Sequence, residues 1–442
     1  MNPAQHAMPP SQRVAVVGSG IAGLASAYFL SRRHRVTLFE SADYLGGHTH
    51  TVDVELEGSR AAVDTGFLVF NDRTYPNLVA LFEELGVAAY RSDMSFSVSV
   101  DGGALEWAGT NLNTVFAQRR NVFSPTFLGM LRDILRFNSA AAMHLDTATR
   151  SGYSVGELLA TEGYGVPFQQ HYLLPMAAAI WSSSAADILR FPAVTFLRFC
   201  INHALLQVNG RPPWKTVVGG GRTYVDRLSS KLDDIRLRTP VRSVRRDDEG
   251  VTVTTDPFGA QRFDAVVLAS HAPTSLRLLD DADALARKTL GAIRFQRNVA
   301  VLHTDPALLP RSRRVWSAWN YLSRRATHTV ESENERESGH APVCVSYLLN
   351  QLQPLPFRTP VIVTLNPHVD PSDDTVLGRY DYEHPLLDLN AIDAQRMLPE
   401  LQGRRRTWFA GAWTGYGFHE DGLKSALRVA ADFGVAPEWA AL

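Results

Sequence analysis

Apolar residues first condense at VAVV (14–17), stop at GSG (18–20), recur at helical spacing through IAGLASAYFL, and condense again at VTLF (36–39) before Glu40. An unbroken apolar tetrad reads as a buried strand, and a three-to-four-residue recurrence reads as a helix with one face inward. The predicted unit is strand, glycine turn, helix and strand, closed by an acid. Further along, TFLGMLRDILRF and FPAVTFLRFCINHALL carry helical spacing. NVAVLHT, RVWSAWNYL, ATHTVES, APVCVSYLLN and TPVIVTLNP instead alternate as strands of a mostly antiparallel sheet should. Late in the sequence an apolar strand ending near Phe409 leads through GYGFHEDG into a last helix. That turn crowds two aromatics, a histidine and two acids between three glycines, more chemistry than a turn requires.

The chain has 442 residues, which predicts two joined domains with sizeable cores. A formal charge of −1 and 20% charged residues leave no electrostatic footprint for nucleic acid, so none is expected as a partner. Cys200 and Cys344 stand far apart with no metal-like or redox-like spacing, which suits a reducing cytoplasm and predicts no metal site. MNPAQHAMPPSQR lacks the charged start and apolar core of a secretory signal and reads as a short disordered lead. No apolar run reaches the roughly 18 to 20 residues that span a bilayer, so membrane contact would be peripheral. Phe127, Met130, Leu131 and Leu135 can share a helix face with Arg132 and Arg136 beside it. That face fits burial or a layer of lipid headgroups, and burial is the preferred reading.

The first motif has a specific chemistry. Gly18 makes the tight turn, Gly20 lets the backbone approach a pyrophosphate, and Gly23 lets helix and strand pack closely. The first N–H groups of the helix, around Ile21 and Ala22, then hold phosphate oxygens. Glu40 can accept both ribose hydroxyls, which disfavours a 2′-phosphate. Gly219–Gly221 is the other glycine cluster, but neither a preceding strand nor a later ribose acid is expected around it, so no second nucleotide site is predicted.

The residues after Glu40, SADYLGGHTHTVDVELEGSRAAVDTGFLVFN, resemble the flavin amine oxidase and phytoene desaturase superfamily. The resemblance implies an α/β fold: a Rossmann-like FAD-binding domain of the glutathione reductase / amine oxidase type, with an interleaved α+β substrate domain. It implies noncovalent FAD, because the cysteine that anchors flavin in some members is missing. It assigns cofactor contacts to Ser41, Gly46, Gly47, His48 and Thr49, to Thr65, Gly66 and Phe67 along the ribityl chain, and to Val241 at the adenine. TWFAGAWTGYGFHEDGLKSA matches the closing motif, where Gly411 and Ala412 meet the cofactor. A helix starting near Asp421, Gly422 and Leu423 there points its N-terminus at flavin N1 and the C2 carbonyl. A helix N-terminus beside N1 stabilises the negative charge of reduced flavin. The plainer reading of Asp421 is a helix cap.

The implied FAD domain comprises 12–75, 214–297 and 403–442, and the substrate domain 76–213 and 298–402. Departures from the amine oxidase pattern matter. His48 stands where an arginine is usual, and His419 where an aromatic cage residue is usual, so an amine cage is not expected. GGHTHTV, DTGFLVFN, TYPNL and GYGFHEDG look closest to a bacterial branch of predicted NAD/FAD-binding proteins found beside genes for cyclopropane fatty acyl synthase-like enzymes. That branch implies an acyl or other lipid substrate.

The expected activity is dehydrogenation or desaturation of a hydrophobic substrate by hydride transfer to flavin N5, with oxygen, a quinone or a carrier protein taking the electrons. A flavin amine oxidase, a redox-neutral isomerase and a flavin-binding partner of another lipid enzyme remain open. His419 is the first candidate base and Glu420 the second; a neutral packing residue is the other reading of His419. Trp181, Trp319, Tyr321, Trp413, Tyr416 and Phe418 are the candidate pocket aromatics.

Overall fold

The structure, a computed structural model, describes residues 11–207, 210–323 and 343–442. The expected strand ATHTVES, the loop SENERESGH and most of the leading segment lie outside them. Strand Arg13–Val17 has four buried residues in succession and occupies the centre of a five-stranded parallel sheet. Arg35–Phe39 and then Asp234–Arg236 flank it on one side, Ala265–Leu268 and then Thr407–Phe409 on the other. These strands are apolar on both faces because both faces are covered. Helices Ile21–Ser31 and His419–Asp432 pack over Val14, Val16, Leu38 and Val267. On the opposite face Ala15, Val17, Phe39, Val266 and Leu268 pack against the antiparallel meander Val241–Arg246, Val251–Thr255 and Gly259–Phe263.

A second sheet has seven strands in the order Val376–Pro385, Phe295–His303, Ile362–Leu365, Cys344–Leu348, Trp319–Ser323, Phe96–Val100 and Leu105–Ala108. Two of its features depart from the sequence expectation. Phe96–Val100 and Leu105–Ala108 come from a stretch expected to be mainly helical, and Phe96–Val100 adds in parallel to Trp319–Ser323. Val376–Pro385 pairs along the whole of Phe295–His303, yet its outward positions are exposed and mostly polar, so it carries no aliphatic run to announce it. Helices Pro125–Ser139, Ala141–Ser151, Leu174–Trp181 and Ala193–Asn202 form a separate layer around Phe137, Phe168 and Phe196. Among the described residues no helix is long and apolar enough to cross a membrane.

Gly219–Gly221 does follow a strand, contrary to expectation: Trp214–Val217 pairs with Phe70–Asn71 and Ala89–Ser92. Four residues that include a tryptophan and a lysine are too short and mixed to stand out. The glycines let the hairpin Thr51–Leu56/Ser59–Asp64 approach. A Cβ on Gly220 would lie 2.5 Å from Thr51 Cγ2, and one on Gly221 2.5 Å from Thr49 Cγ2. The Gly221 N–H donates to Asp64 Oδ1 at 2.9 Å and the Arg222 N–H to Thr51 Oγ1 at 2.9 Å. These amides serve the fold, which is why they form no second phosphate cradle.

Asp64 ties the hairpin to the glycine turn and to the end of the short helix Leu349–Leu352. Its buried carboxylate accepts from Thr51 Oγ1, the Gly221 N–H and Gln353 Nε2 at 3.0 Å, and Gln353 Oε1 accepts from the Asp64 N–H at 3.1 Å. Burial pushes this carboxyl up to about 6 despite three donors. Replacing Gln353 with alanine leaves the buried Asp64 amide without its acceptor and removes one of the three donors to the carboxylate. Gln353→Ala is expected to lower stability by about 1–3 kcal/mol in urea unfolding; an unchanged midpoint would show that the pair joins hairpin and helix without stabilising them.

A candidate cofactor cleft and its aromatic wall

The glycines of the first turn differ in what surrounds them. A Cβ on Gly23 would stand 1.8 Å from the Gly18 carbonyl oxygen, and one on Gly18, itself at φ +100°, 2.8 Å from the Ala269 carbonyl oxygen. A Cβ on Gly20 would meet nothing within 4 Å. The turn is therefore closed on the protein side and open at Gly20, beside the N–H groups of Ile21 and Ala22 that no intrahelical carbonyl can satisfy. Gly46 and Gly47 form the facing edge. Gly46 bridges Gly20 in parallel and donates to the Ser19 carbonyl at 3.0 Å, and a Cβ on Gly47 would lie 3.2 Å from Gly20 Cα.

Glu40 closes the second strand. Its Oε2 accepts from the Ser19 N–H at 2.9 Å and Ser19 Oγ at 2.6 Å, and its Oε1 from the Ala42 N–H at 2.8 Å and Ser41 Oγ at 3.2 Å. The two amides fix the carboxylate, and the Ser19 hydroxyl is held in turn by the Gly46 N–H at 3.3 Å. The Thr239 N–H donates to the Glu40 carbonyl at 2.8 Å, bringing Val241, two residues on, toward the same end of the sheet.

The late motif arrives against the first one. Its helix begins at His419, two residues before the expected start. A Cβ on Gly422 would lie 2.8 Å from Ile21 Cγ2, so this glycine serves helix-to-helix contact. Leu423 is fully buried, and the Gly411 N–H donates to Ser425 Oγ at 2.9 Å. The Ala412 carbonyl accepts from the Gly415 and Gly417 N–H groups, each at 3.1 Å, which shapes the loop between strand and helix. Two helix N-termini thus stand side by side at an open glycine with an acid at the neighbouring strand end. These residues fit FAD: Gly20, Ile21 and Ala22 would hold its phosphate and Glu40 its ribose.

The segment between these motifs is tightly folded on itself. A Cβ on Gly66 would lie 2.1 Å from the His48 carbonyl oxygen, to which the Phe67 N–H donates at 2.9 Å. Thr65 Oγ1 donates to the His50 carbonyl at 3.0 Å and lies 2.7 Å from Tyr382 Oη. The His48 ring stands 5.1 Å from Tyr382, 5.4 Å from His384 and 6.0 Å from His271. Burial, then the neighbouring histidines, hold its pKa well below the usual imidazole value. His48 is a neutral ring at one wall of a cleft of about 330 Å³ that also meets Tyr44, His271 and Arg297.

Both expected bases are engaged in holding the fold. His419 Nε2 lies 2.8 Å from Thr49 Oγ1 and 3.0 Å from Tyr224 Oη, and its ring stacks on Phe67 at 3.7 Å. Burial lowers its pKa to about 3, far from the near-neutral value that suits a general base. Glu420 accepts from the Asn77 N–H, Asn77 Nδ2 and the Leu78 N–H at 3.1, 2.7 and 3.0 Å. Both its oxygens therefore cap helix Pro76–Leu85, and a carboxylate at a helix N-terminus is a structural partner. Asp421 reaches back to the Phe418 N–H at 3.0 Å, the capping role its position allowed, and burial pushes its carboxyl up to about 6.

The aromatics sort into different cores. Trp413 belongs to the core behind the parallel sheet, with Nε1 donating to the Ser270 carbonyl at 3.1 Å, and is no pocket residue. Trp319 packs edge-on against Tyr347 at 4.8 Å in the seven-stranded sheet, where Tyr321 also lies. Trp181, Tyr416 and Phe418 converge on Phe199, with ring centroids at 4.6, 5.9 and 4.8 Å. Phe199, Tyr224 and Gln353 were not singled out in the sequence. Phe199 sits inside an apolar helical run and the other two act across long chain separations, so no local signal marked them.

Residues 21–433 match the family model described as flavin containing amine oxidoreductase. A carotenoid phi-ring synthase of Streptomyces griseus is 31% identical over 67% of this chain and 58% of its own length. A coproporphyrinogen III oxidase of Mycobacterium bovis is 28% identical over 63% of this chain and 62% of its own. The alignments thus span about three fifths of these relatives. Among solved structures, a fatty acid isomerase from P. acnes superposes with a TM-score of 0.63 at 15% identity, covering 94% of this chain and 97% of that one, a likeness of fold.

The buried titratable groups predict a pH dependence. His203, His303 and His384 are lowered to about 4 and His419 to about 3, in each case mainly by burial. Depressed histidines bind fewer protons folded than unfolded, so their contribution is present above about pH 6.5 and lost as pH falls toward 4. Asp64 and Asp421, raised to about 6, act in the opposite sense between about pH 4 and 6. His48 adds to the first set and Glu420 to the second, so the depressed histidines outnumber the raised acids and unfolding at pH 5 to 6 takes up protons. The thermal midpoint is expected to fall between pH 7 and 5; a midpoint that rises over that interval would mean the raised acids dominate.

Proposed function

The chain belongs to the flavin containing amine oxidoreductase family; from that premise we propose that it is an FAD-dependent oxidoreductase that dehydrogenates or desaturates a hydrophobic substrate, an acyl chain or another lipid. The carrying observation is the composition of the wall beside the late motif. Tyr416 and Phe418 turn from that motif directly into the cluster of Trp181 and Phe199. The charged side chains of the same turn, Glu420 and Asp421, are held by backbone amides. His203 stacks on Phe199 at 3.9 Å and is neutral, its pKa lowered to about 4 by burial. An uncharged aromatic wall favours an apolar chain over a protonated amine.

The names of the carotenoid and fatty acid relatives point the same way, toward apolar chains.

Bound FAD would supply the acceptor for a hydride from a substrate carbon, the departing proton passing to water in the cleft, and an external acceptor would then remove the two electrons. The chain's own task is to orient the substrate. Because Gly221 and Arg222 give their amides to Asp64 and Thr51, re-oxidation is assigned to oxygen, a quinone or a carrier protein. Attachment of FAD is assigned as noncovalent. Cys200 is buried in its helix, where burial pushes the thiol up, and Cys344 is buried in the middle of a sheet.

Anaerobic mixing tests this reading. Long-chain acyl compounds are expected to bleach the oxidised flavin, whereas benzylamine and tyramine leave it yellow. Bleaching by amines alone would overturn the proposal, and so would turnover of lipid that begins only after the flavin has been reduced, since that is isomerisation.

A further inference from the structure

Among the described residues fifteen large apolar side chains are exposed, and six of them fall within residues 112–143. They are Leu112 at 76%, Phe123 at 86%, Leu135 at 61%, Met143 at 56%, Leu128 at 43% and Val122 at 42%. Such a concentration differs from the scattered exposed leucines of an ordinary surface. It arises because helix Pro125–Ser139 is apolar on two sides. Phe127, Met130 and Phe137 face inward, where Phe127 meets Trp107 and Phe116, and Phe137 meets Tyr164 and Phe168. Leu128, Arg132 and Leu135, spaced by four and three, lie along the outer side. Leu135, expected to share the inward face, is one of the outward residues.

The outer side continues past the helix start. Val122 and Phe123 end the short turn Arg119–Phe123 just before the Ser124 cap. Arg119 reaches from that turn to the Phe116 carbonyl and Asn113 Oδ1, next to Leu112. The surface therefore runs from Leu112 through Phe123 to Leu135.

Its charge is mainly positive. Residues 111–145 contain four arginines, at 119, 120, 132 and 136, and one acid, Asp133, in a chain whose net charge is −1. Asp133 is buried, accepts from the Gly165 N–H, and lies 3.7 Å from Arg132 and 3.5 Å from Arg136. Among the described residues Arg119 and Arg120 bond to carbonyl and amide oxygens and to no carboxylate. Arg132 is 80% exposed.

We propose that this surface docks on an anionic lipid bilayer, with Leu112 and Phe123 entering the acyl boundary and Arg119, Arg120 and Arg132 lying over headgroup phosphates. Apolar side chains interleaved with arginines along a helix and the turn before it are the pattern of an interfacial element. A protein partner would favour an apolar centre with a polar rim instead. The inference goes beyond the proposed substrate and does not depend on it, because binding to lipid is measured without turnover.

The test is flotation of the holoprotein with vesicles of mixed phosphatidylglycerol and phosphatidylcholine, against phosphatidylcholine alone, at low and high salt. The protein is expected to float with the anionic vesicles and to be released by salt. Leu112→Ser with Phe123→Ser should weaken partitioning by at least about tenfold. Arg119→Gln with Arg120→Gln should reduce binding to the level on phosphatidylcholine. Both pairs should melt as the wild type does, since the side chains are exposed. Failure of the wild type to float on anionic vesicles at low salt overturns the proposal, as does unchanged flotation of the serine pair. A concentration-dependent dimer that the serine pair abolishes would also overturn it, by assigning this surface to a second copy of the chain.

Discussion

A hydrogen atom in place of a methyl at Gly23 sets the geometry around the cleft. With a Cβ 1.8 Å from the Gly18 carbonyl oxygen, the helix could not start where it does. Displacing it would move the unpaired N–H groups of Ile21 and Ala22 away from the open side at Gly20. The late helix depends on the same contact at one remove, because Gly422 packs on Ile21 with a clearance that would not admit a methyl. Overpacking at such a point costs a few kcal/mol and shifts backbone as well as side chains. The two motifs, near opposite ends of the sequence, therefore form one cleft only because small residues stand where their helices meet.

Around that contact the polar residues of the site have structural partners. Asp64 joins hairpin, glycine turn and the end of helix Leu349–Leu352; His419 is held between Thr49, Tyr224 and Phe67; Glu420 caps one helix and Asp421 its own. Asp64 and Glu420 are buried and His419 and Asp421 half-buried, and each has a pKa moved by desolvation toward its neutral form. Groups so engaged define the cleft. On the proposed reading chemistry rests with the flavin, and the aromatic side chains orient the substrate.

The sequence made local features legible and long-range ones not. Glycine spacing, the strand before it and the acid after it act within thirty residues, and their physical demands restrict the residue type at each position. The parallel sheet and the late strand-turn-helix were readable for that reason. His419 was legible as either a base or a neutral packing residue and Glu420 as a second base, but their partners were not, because these lie 370 and 343 residues away in the chain. Val376–Pro385 was missed since its buried residues are tyrosines and its other face is charged. Leu135 was placed on the wrong face because helical spacing alone cannot distinguish which of two apolar sides meets the core.

The central claim is that the open side of the first turn at Gly20 holds the cofactor's phosphates. Titration of FAD into the apoprotein of wild type and Gly20→Val, followed by flavin fluorescence, tests it most directly. Since a Cβ at Gly20 meets nothing within 4 Å, the variant should fold with a melting transition close to that of the wild type. It should lose FAD affinity by at least about a hundredfold, roughly 3 kcal/mol, because the added side chain occupies the space a phosphate needs. A folded Gly20→Val protein that binds FAD as tightly as the wild type would contradict the account.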